Sequence, residues 1–144
     1  MTAAVTLTLD DARRALDVIV PELKQRALAA VITVVDDHGE LIALWRMDGA
    51  PLSSLTIATN KAYTAARERK PTKEIGRAAR HPETGFDIAY FGDPRFIGWG
   101  GGVPVLIGGT VVGAVAVSGA PEAVDMELAA LGAAAIVKGK QGYD

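Results

Sequence analysis

The sequence predicts an α+β domain with helices on the faces of an antiparallel sheet. Three observations carry this. Two pairs of β-branched runs are each joined by a short turn, so each pair reads as a hairpin. Segments with helical periodicity stand before, between and after the hairpins. No segment has the strand–helix–strand spacing of a parallel sheet.

The elements follow in order. Thr8-Leu-Asp-Asp11 starts a helix, with a capping threonine and aspartates where a helix N-terminus favours negative charge. Leu9, Ala12, Leu16, Ile19, Val20, Leu23 and Ala27 recur behind it at helical spacing. Pro21 falls inside that pattern and, lacking an N–H, is expected to kink or split the helix. Val31-Ile-Thr-Val-Val35 and Leu41-Ile-Ala-Leu-Trp-Arg-Met47 are strands around the turn Asp36-Asp-His-Gly39, with Gly39 at the position that needs positive φ. Asp48-Gly-Ala-Pro51 breaks the second strand. Ser53 or Ser54 then caps a helix running to about Arg69, and Ala58, Ala62, Ala65 and Ala66 give it a small-residue surface. Thr72 starts a short helix through Arg80. Val103-Pro-Val-Leu-Ile107 and Val111 to Ser118 form the second hairpin around Gly108-Gly109, and Pro104 suits an edge strand or the opening of a strand. Pro121 opens a last helix from about Glu122 to Lys138, and the tail Gly139 to Asp144 is expected to be loose.

The 144 residues read as one domain, 1–144, long enough to bury a pocket without metal or disulfide staples. The absence of cysteine excludes disulfides, thiolate nucleophiles, zinc fingers and iron–sulfur ligation. A net charge of −2 gives no electrostatic case for nucleic acid. Gly, Pro or charge interrupts every apolar run before the roughly 18 residues that a membrane span needs. The start at Met1 lacks the basic region of a signal peptide, so the expected location is the cytoplasm, with no membrane partner.

Aromatic residues are scarce, yet Phe86, Tyr90, Phe91, Phe96 and Trp99 all fall between His81 and Gly102. A structureless connection of that length is either functional or disordered, and its aromatics argue against disorder. His81 opens it, as a candidate acid/base or ligand, or else as a helix C-terminal residue meeting the dipole. Asp87, Tyr90 and Arg95 either transfer protons and hold a substrate, or serve turns and packing. Gly100, Gly101 and Gly102 permit close backbone approach and match neither a dinucleotide fingerprint nor a Walker loop. Arg46 and Asp48 are either an Arg fork for a carboxylate, steadied by the aspartate, or an internal pair. Lys61 is either a cation or lowered-pKa base on a buried helix face, or a lysine reaching solvent. His38, in the first turn, reads as solvated.

Several segments together resemble the GlcG/HbpS family, also called DUF336 or haem-degrading, which includes the C-terminal domain of PduO-type proteins. They are Val34-Val-Asp-Asp-His-Gly-Glu-Leu41, Arg46-Met-Asp-Gly-Ala50, the helix with Ile57-Ala58, Lys61-Ala62 and Thr64-Ala-Ala66, Gly101-Gly-Val-Pro104, and Val112-Gly-Ala-Val-Ala-Val-Ser-Gly119 followed by Asp125. The resemblance implies a profilin-like α/β/α sandwich around a central antiparallel sheet of about five strands. It implies homo-oligomers from dimers to octamers, haem as a cofactor in some members, and small-molecule catabolism in others. The His81–Trp99 segment is longer than the family's usual connector, and Ala116 and Ala120 stand where glycines are frequent.

Three functions are therefore in view. The first is small-ligand binding of the GlcG/HbpS type, with haem as the ligand, Arg46 on a propionate and His81 or Lys61 at the iron as axial ligand. Trp99 and the Gly100–Gly102 run would line that ligand's site. The second is a cofactor-independent lyase, isomerase or hydrolase acting on a carboxylated substrate. There Arg46 or Arg95 clamps the carboxylate, His81, Asp87, Tyr90 or Lys61 moves protons, and the Gly100–Gly102 amides face an oxyanion. The third is a structural subunit whose small-residue helices serve assembly.

Overall fold

The structure, a computed structural model, describes residues 5–141. Helix α1 (Leu9–Gln25) starts as its sequence dictates. Thr8 Oγ1 accepts the Asp11 N–H at 3.1 Å, and Asp11 Oδ2 accepts the Thr8 N–H at 2.9 Å. This satisfies two of the donors a helix start leaves open. Leu7, just before the cap, and Ala12, one turn in, are buried in one cluster and staple the entry of the chain. Leu9 is 59% exposed, so the apolar stripe begins at Ala12. The helix is not split at Pro21. Pro21 and Asp17, whose carbonyl loses its partner there, are both exposed, so water can replace the missing bond.

Strands β1 (Val31–Asp36), β2 (Leu41–Arg46), β3 (Gly102–Ile107) and β4 (Thr110–Ser118) form one antiparallel sheet in the order β2-β1-β4-β3. The described residues form four strands, against about five implied by the resemblance, and the segment between Arg80 and Gly102 forms a 3-10 turn (Ile88–Phe91) and loops. Gly39 has φ +86° as the first hairpin requires. Pro104 lies on β3, an edge strand.

The pleat sorts the strand residues between two faces. Ile32, Val34, Val105, Val115 and Val117 face Ile19 and Leu23 of α1 and Leu128 and Ile136 of α4 (Glu122–Gln141). Each fully buried Leu, Ile or Val here contributes about 1.5–3 kcal/mol. Val35, Ala114 and Ala116 face Ala62, Ala65 and Ala66 of α2 (Ser54–Glu68). On that face Thr33 Oγ1 donates to the Ala58 carbonyl at 2.8 Å. The result is a sheet between two helical layers. The small-residue surface of α2 is consumed inside the chain, where it lets helix and sheet approach closely.

The α2 start lacks the expected serine cap, whereas α3 begins at Thr72 as expected. Ser53 precedes α2 without a side-chain cap bond, and the Ser54 hydroxyl instead meets Ser118 Oγ at 3.2 Å. Thr72 is the first residue of α3 (Thr72–Ala79), and its hydroxyl accepts the Gly102 N–H at 3.0 Å. Helix α4 runs on to Gln141, so residues 139–141 are helical rather than loose. Lys140 anchors that end, bonding Asp11 at 2.6 Å and the Thr6 carbonyl at 2.9 Å. The rest of the expected loose tail, 142–144, lies outside the described residues. No described helix is long and apolar enough to cross a membrane.

Candidate functional site

Lys61 sits mid-way along α2 on the face that meets the sheet, and it is 1% exposed. The alanines around it leave room for its side chain to reach the far end of β4. There Nζ donates to the Val117 carbonyl at 3.1 Å and to Asp125 Oδ2 at 3.3 Å. Asp125 comes from the first turn of α4 and is 3% exposed. Its other oxygen accepts the Ala120 N–H at 3.1 Å, which ties the β4–α4 connection to the same carboxylate. An ammonium has three donors, and the third N–H of Lys61 has no acceptor among the described residues. The Trp99 ring lies 5.6 Å from Nζ, at cation–π distance.

Gly101 makes the arrangement possible. Its φ is +127°, and a Cβ there would stand 2.7 Å from Lys61 Nζ and 2.7 Å from the Val117 carbonyl oxygen. A side chain at this position would occupy the place of the ammonium.

Burial pushes the Lys61 ammonium below its ordinary pKa, with the charge and hydrogen bond of Asp125 opposing. Burial likewise pushes the Asp125 carboxyl above its ordinary pKa, with Lys61 and backbone N–H groups opposing. The two shifts act together, easing passage of a proton from the ammonium to the carboxylate.

A cavity of about 200 Å³ opens beside this pair. Trp99 and Ile57 supply apolar wall, and the paired Ser54 and Ser118 hydroxyls supply polar wall. Glu122 also lines it. One Glu122 oxygen accepts the Gly100 N–H at 2.8 Å and the other meets Lys73 Nζ at 2.8 Å. Lys73 and that N–H hold the Glu122 carboxyl below the usual range. Each carboxylate at the lining is thus matched by an ammonium, Asp125 by Lys61 and Glu122 by Lys73.

Of the residues singled out from sequence, Lys61 and Trp99 line this cavity. Gly101 packs beneath the ammonium. The Gly100 and Gly102 amides, read as oxyanion donors, are engaged by Glu122 and Thr72. Arg46 and Asp48 line a separate cavity of about 440 Å³ with Val20, Lys24 and Met47. Contrary to expectation, no ion pair joins Arg46 to Asp48 among the described residues, although both line that cavity, and both are exposed.

The aromatic loop builds a different structure. Asp93 receives two guanidinium bonds from Arg95, each at 3.1 Å, and the Tyr63 hydroxyl. Arg95 stacks 3.9 Å from the Tyr63 ring centre. The Thr64 hydroxyl accepts the Ile97 N–H at 3.1 Å. These contacts hold the loop against α2. Asp87 Oδ1 accepts the Ala89 N–H and caps the 3-10 turn. Phe91 stacks between Phe86 and Phe96. Phe86, Phe91 and the 85% exposed Tyr90 share a surface groove, so these aromatics pack on one another rather than in the main core.

His81 is exposed, and its Nδ1 accepts the N–H groups of Glu83 and Thr84, each at 3.1 Å. A neutral imidazole that accepts at Nδ1 carries its hydrogen on Nε2. The outward nitrogen is then a donor, with no lone pair for iron. A metal-bound histidine shows the opposite pattern, donating from its other nitrogen. His81, Asp87, Tyr90 and Arg95 do not line the Lys61 cavity. His38 is exposed in its turn, as expected.

Asp125, Glu122, Ser54 and Ser118 are the cavity residues that residue-level reading passed over. Two of them, Glu122 and Asp125, sit in the first turn of a helix, where carboxylates are ordinary. The two serines read as a cap and a strand end.

Residues 7–134 match the family described as haem degrading protein HbpS-like. An uncharacterised 15.0 kDa protein from the dhaT-dhaS intergenic region of Citrobacter freundii is 35% identical over 79% of this chain and 80% of its own length. The Klebsiella pneumoniae protein ORFY superposes with a TM-score of 0.85 at 31% identity, covering 94% of each chain. PduOC, solved as a complex with haem, superposes with a TM-score of 0.84 at 27% identity, covering 91% of this chain and 95% of that one. Against the corrinoid adenosyltransferase PduO of Salmonella typhimurium, 28% identical, this chain spans 40% of the length.

Proposed function

The chain belongs to the HbpS-like family, and from that premise we propose that it is a small-ligand binding protein whose site is the Lys61 cavity. The observation that carries this is a fully buried ammonium, lining a cavity, with one N–H left without a protein acceptor. Leaving a buried donor unmatched costs about 1–3 kcal/mol, which a ligand acceptor recovers. Both ammonium groups at this cavity are already paired, Lys61 with Asp125 and Lys73 with Glu122, so no unpaired cation is left for an anion, and the arginines read as carboxylate clamps lie elsewhere. The ligand is therefore compact, polar and uncharged, with an oxygen for Lys61 and groups for the serine hydroxyls.

Haem does not fit the residues at this cavity. Sites for drug-sized ligands span about 300–1,000 Å³, against about 200 Å³ here. His81 has its lone pair turned inward and does not line this cavity, and Arg46 lines another cavity. The haem in PduOC therefore supports small-ligand binding in the family without assigning haem to this cavity. Homo-oligomeric assembly and a cytoplasmic location belong to the same proposal.

Trp99 supplies the test. With Trp45→Phe, Trp99 is the sole tryptophan. Small uncharged alcohols and carbonyl compounds are expected to shift its emission and raise the melting temperature, with acetate weaker than its uncharged analogues. Native mass spectrometry of the purified protein reports any retained ligand and the oligomer size. A retained ligand whose removal leaves Trp99 emission unchanged, with no response to the small probes, would place binding elsewhere.

A further inference from the structure

We propose that Lys61 is a nucleophilic amine that condenses reversibly with a small uncharged aldehyde or ketone in this cavity. The inference rests on the cavity being the ligand site, and it names the substrate class and the bond formed. Three features point to it. The amine lines a cavity yet is 1% exposed, so its reacting partner is selected by a confined space rather than by solvent. A carboxylate stands 3.3 Å from the nitrogen, within reach of its proton. Two of the three N–H positions are taken by Val117 and Asp125, which leaves one direction for a carbonyl carbon to approach.

The step balances without a co-reactant. Lys61 passes a proton to Asp125, and rotation about its Cε–Nζ bond turns the freed lone pair from Asp125 into the open direction. The nitrogen lone pair attacks the carbonyl carbon, a C–N bond forms, and the carbonyl π pair moves to oxygen. That oxygen takes up a proton, the nitrogen loses one, and the resulting hydroxyl leaves as water with a proton from Asp125. Ammonium plus carbonyl compound becomes protonated imine plus water, with Asp125 returned to its carboxylate and no change in oxidation level. Burial serves this chemistry twice. It favours the neutral amine, as in other desolvated lysine nucleophiles, and it keeps bulk water from the imine. The Trp99 ring and Ile57 give the carbon chain of the substrate an apolar wall, and the Ser54–Ser118 pair meets a neighbouring hydroxyl.

The test uses the whole chain, acetaldehyde as probe and cyanoborohydride to trap the imine as an ethylated lysine. It is run near neutral pH, where an ordinary lysine with a pKa of about 10.4 is almost wholly protonated. Peptide mass mapping of the wild-type protein compares Lys61 with the exposed Lys70 in the same sample, so no variant has to fold. Lys61 is expected to gain its ethyl group at least about tenfold faster than Lys70. Loss of the preference after unfolding in urea would follow. Labelling of Lys61 no faster than Lys70, while acetaldehyde alone still shifts Trp99 emission, overturns the covalent step and leaves the cavity as a non-covalent site. Neither preferential labelling nor a Trp99 response overturns both readings.

Discussion

Lys61 and Asp125 are 64 positions apart in sequence, yet their charged atoms lie 3.3 Å apart, and both side chains are closed off from solvent. The contact joins α2 to the start of α4 across the end of β4. It is at once a structural tie and the chemical centre of the cavity.

Removing one member of a buried pair strands the other. Lys61→Met is expected to cost about 3–5 kcal/mol in urea unfolding. Adding Asp125→Asn removes the stranded charge and keeps an acceptor for the Ala120 N–H. The double variant is expected to regain more than half of the loss. Equal destabilisation in the single and double variants would show that the pair is not the origin of the effect.

Gly101→Ala places a methyl group against Lys61 Nζ and the Val117 carbonyl. Backbone strain alone costs about 1–3 kcal/mol, and the displaced ammonium adds to it. Gly92→Ala is the comparison, since Gly92 also has positive φ but a Cβ there meets nothing within 4 Å. Thermal melts should rank Gly101→Ala well below Gly92→Ala, and only the former should lose the Trp99 response to small probes. Equal melts would contradict the close packing at Gly101.

Asp93 sets an acid limit on the loop. The Arg95 guanidinium, the Tyr63 hydroxyl and the Arg95 backbone N–H hold its carboxyl well below the usual carboxylate range. A depressed folded pKa stabilises above the unfolded value, about 3.9 for Asp, and that contribution is lost as pH falls toward the folded value. Below about pH 4 the melting temperature of the wild type should therefore fall. In Asp93→Asn the fall should be shallower. Amide exchange in the loop should quicken over the same acid range in the wild type, and an acid response unchanged by the substitution would remove Asp93 as its cause.

The inward lone pair of His81 leads to a spectroscopic outcome. Titration with hemin should give the same Soret band for the wild type and for His81→Ala, whatever the extent of binding. A band that shifts or disappears in the variant would show that the Glu83 and Thr84 bonds to Nδ1 open to free the imidazole.

The features legible in sequence are those set by near neighbours. The capping box at Thr8, the Gly39 turn, the Gly108-Gly109 hairpin and the edge placement of Pro104 depend on contacts a few residues apart, and the structure has each of them. Where a local signal met a tertiary alternative, the alternative won. The Ser54 hydroxyl meets Ser118 instead of capping α2. The long loop is ordered by bonds to Tyr63 and Thr64, which no pattern within the loop encodes. The amino-acid sequence by itself determined the order of helices and hairpins, the family, and the exclusion of thiol chemistry. Only the tertiary structure decided that Lys61 is buried rather than solvated, and that Asp125 is its partner. The physical reason is that a lysine's environment depends on what packs against its helix. That surface comes from β4 and α4, distant in the chain and brought there by the sheet.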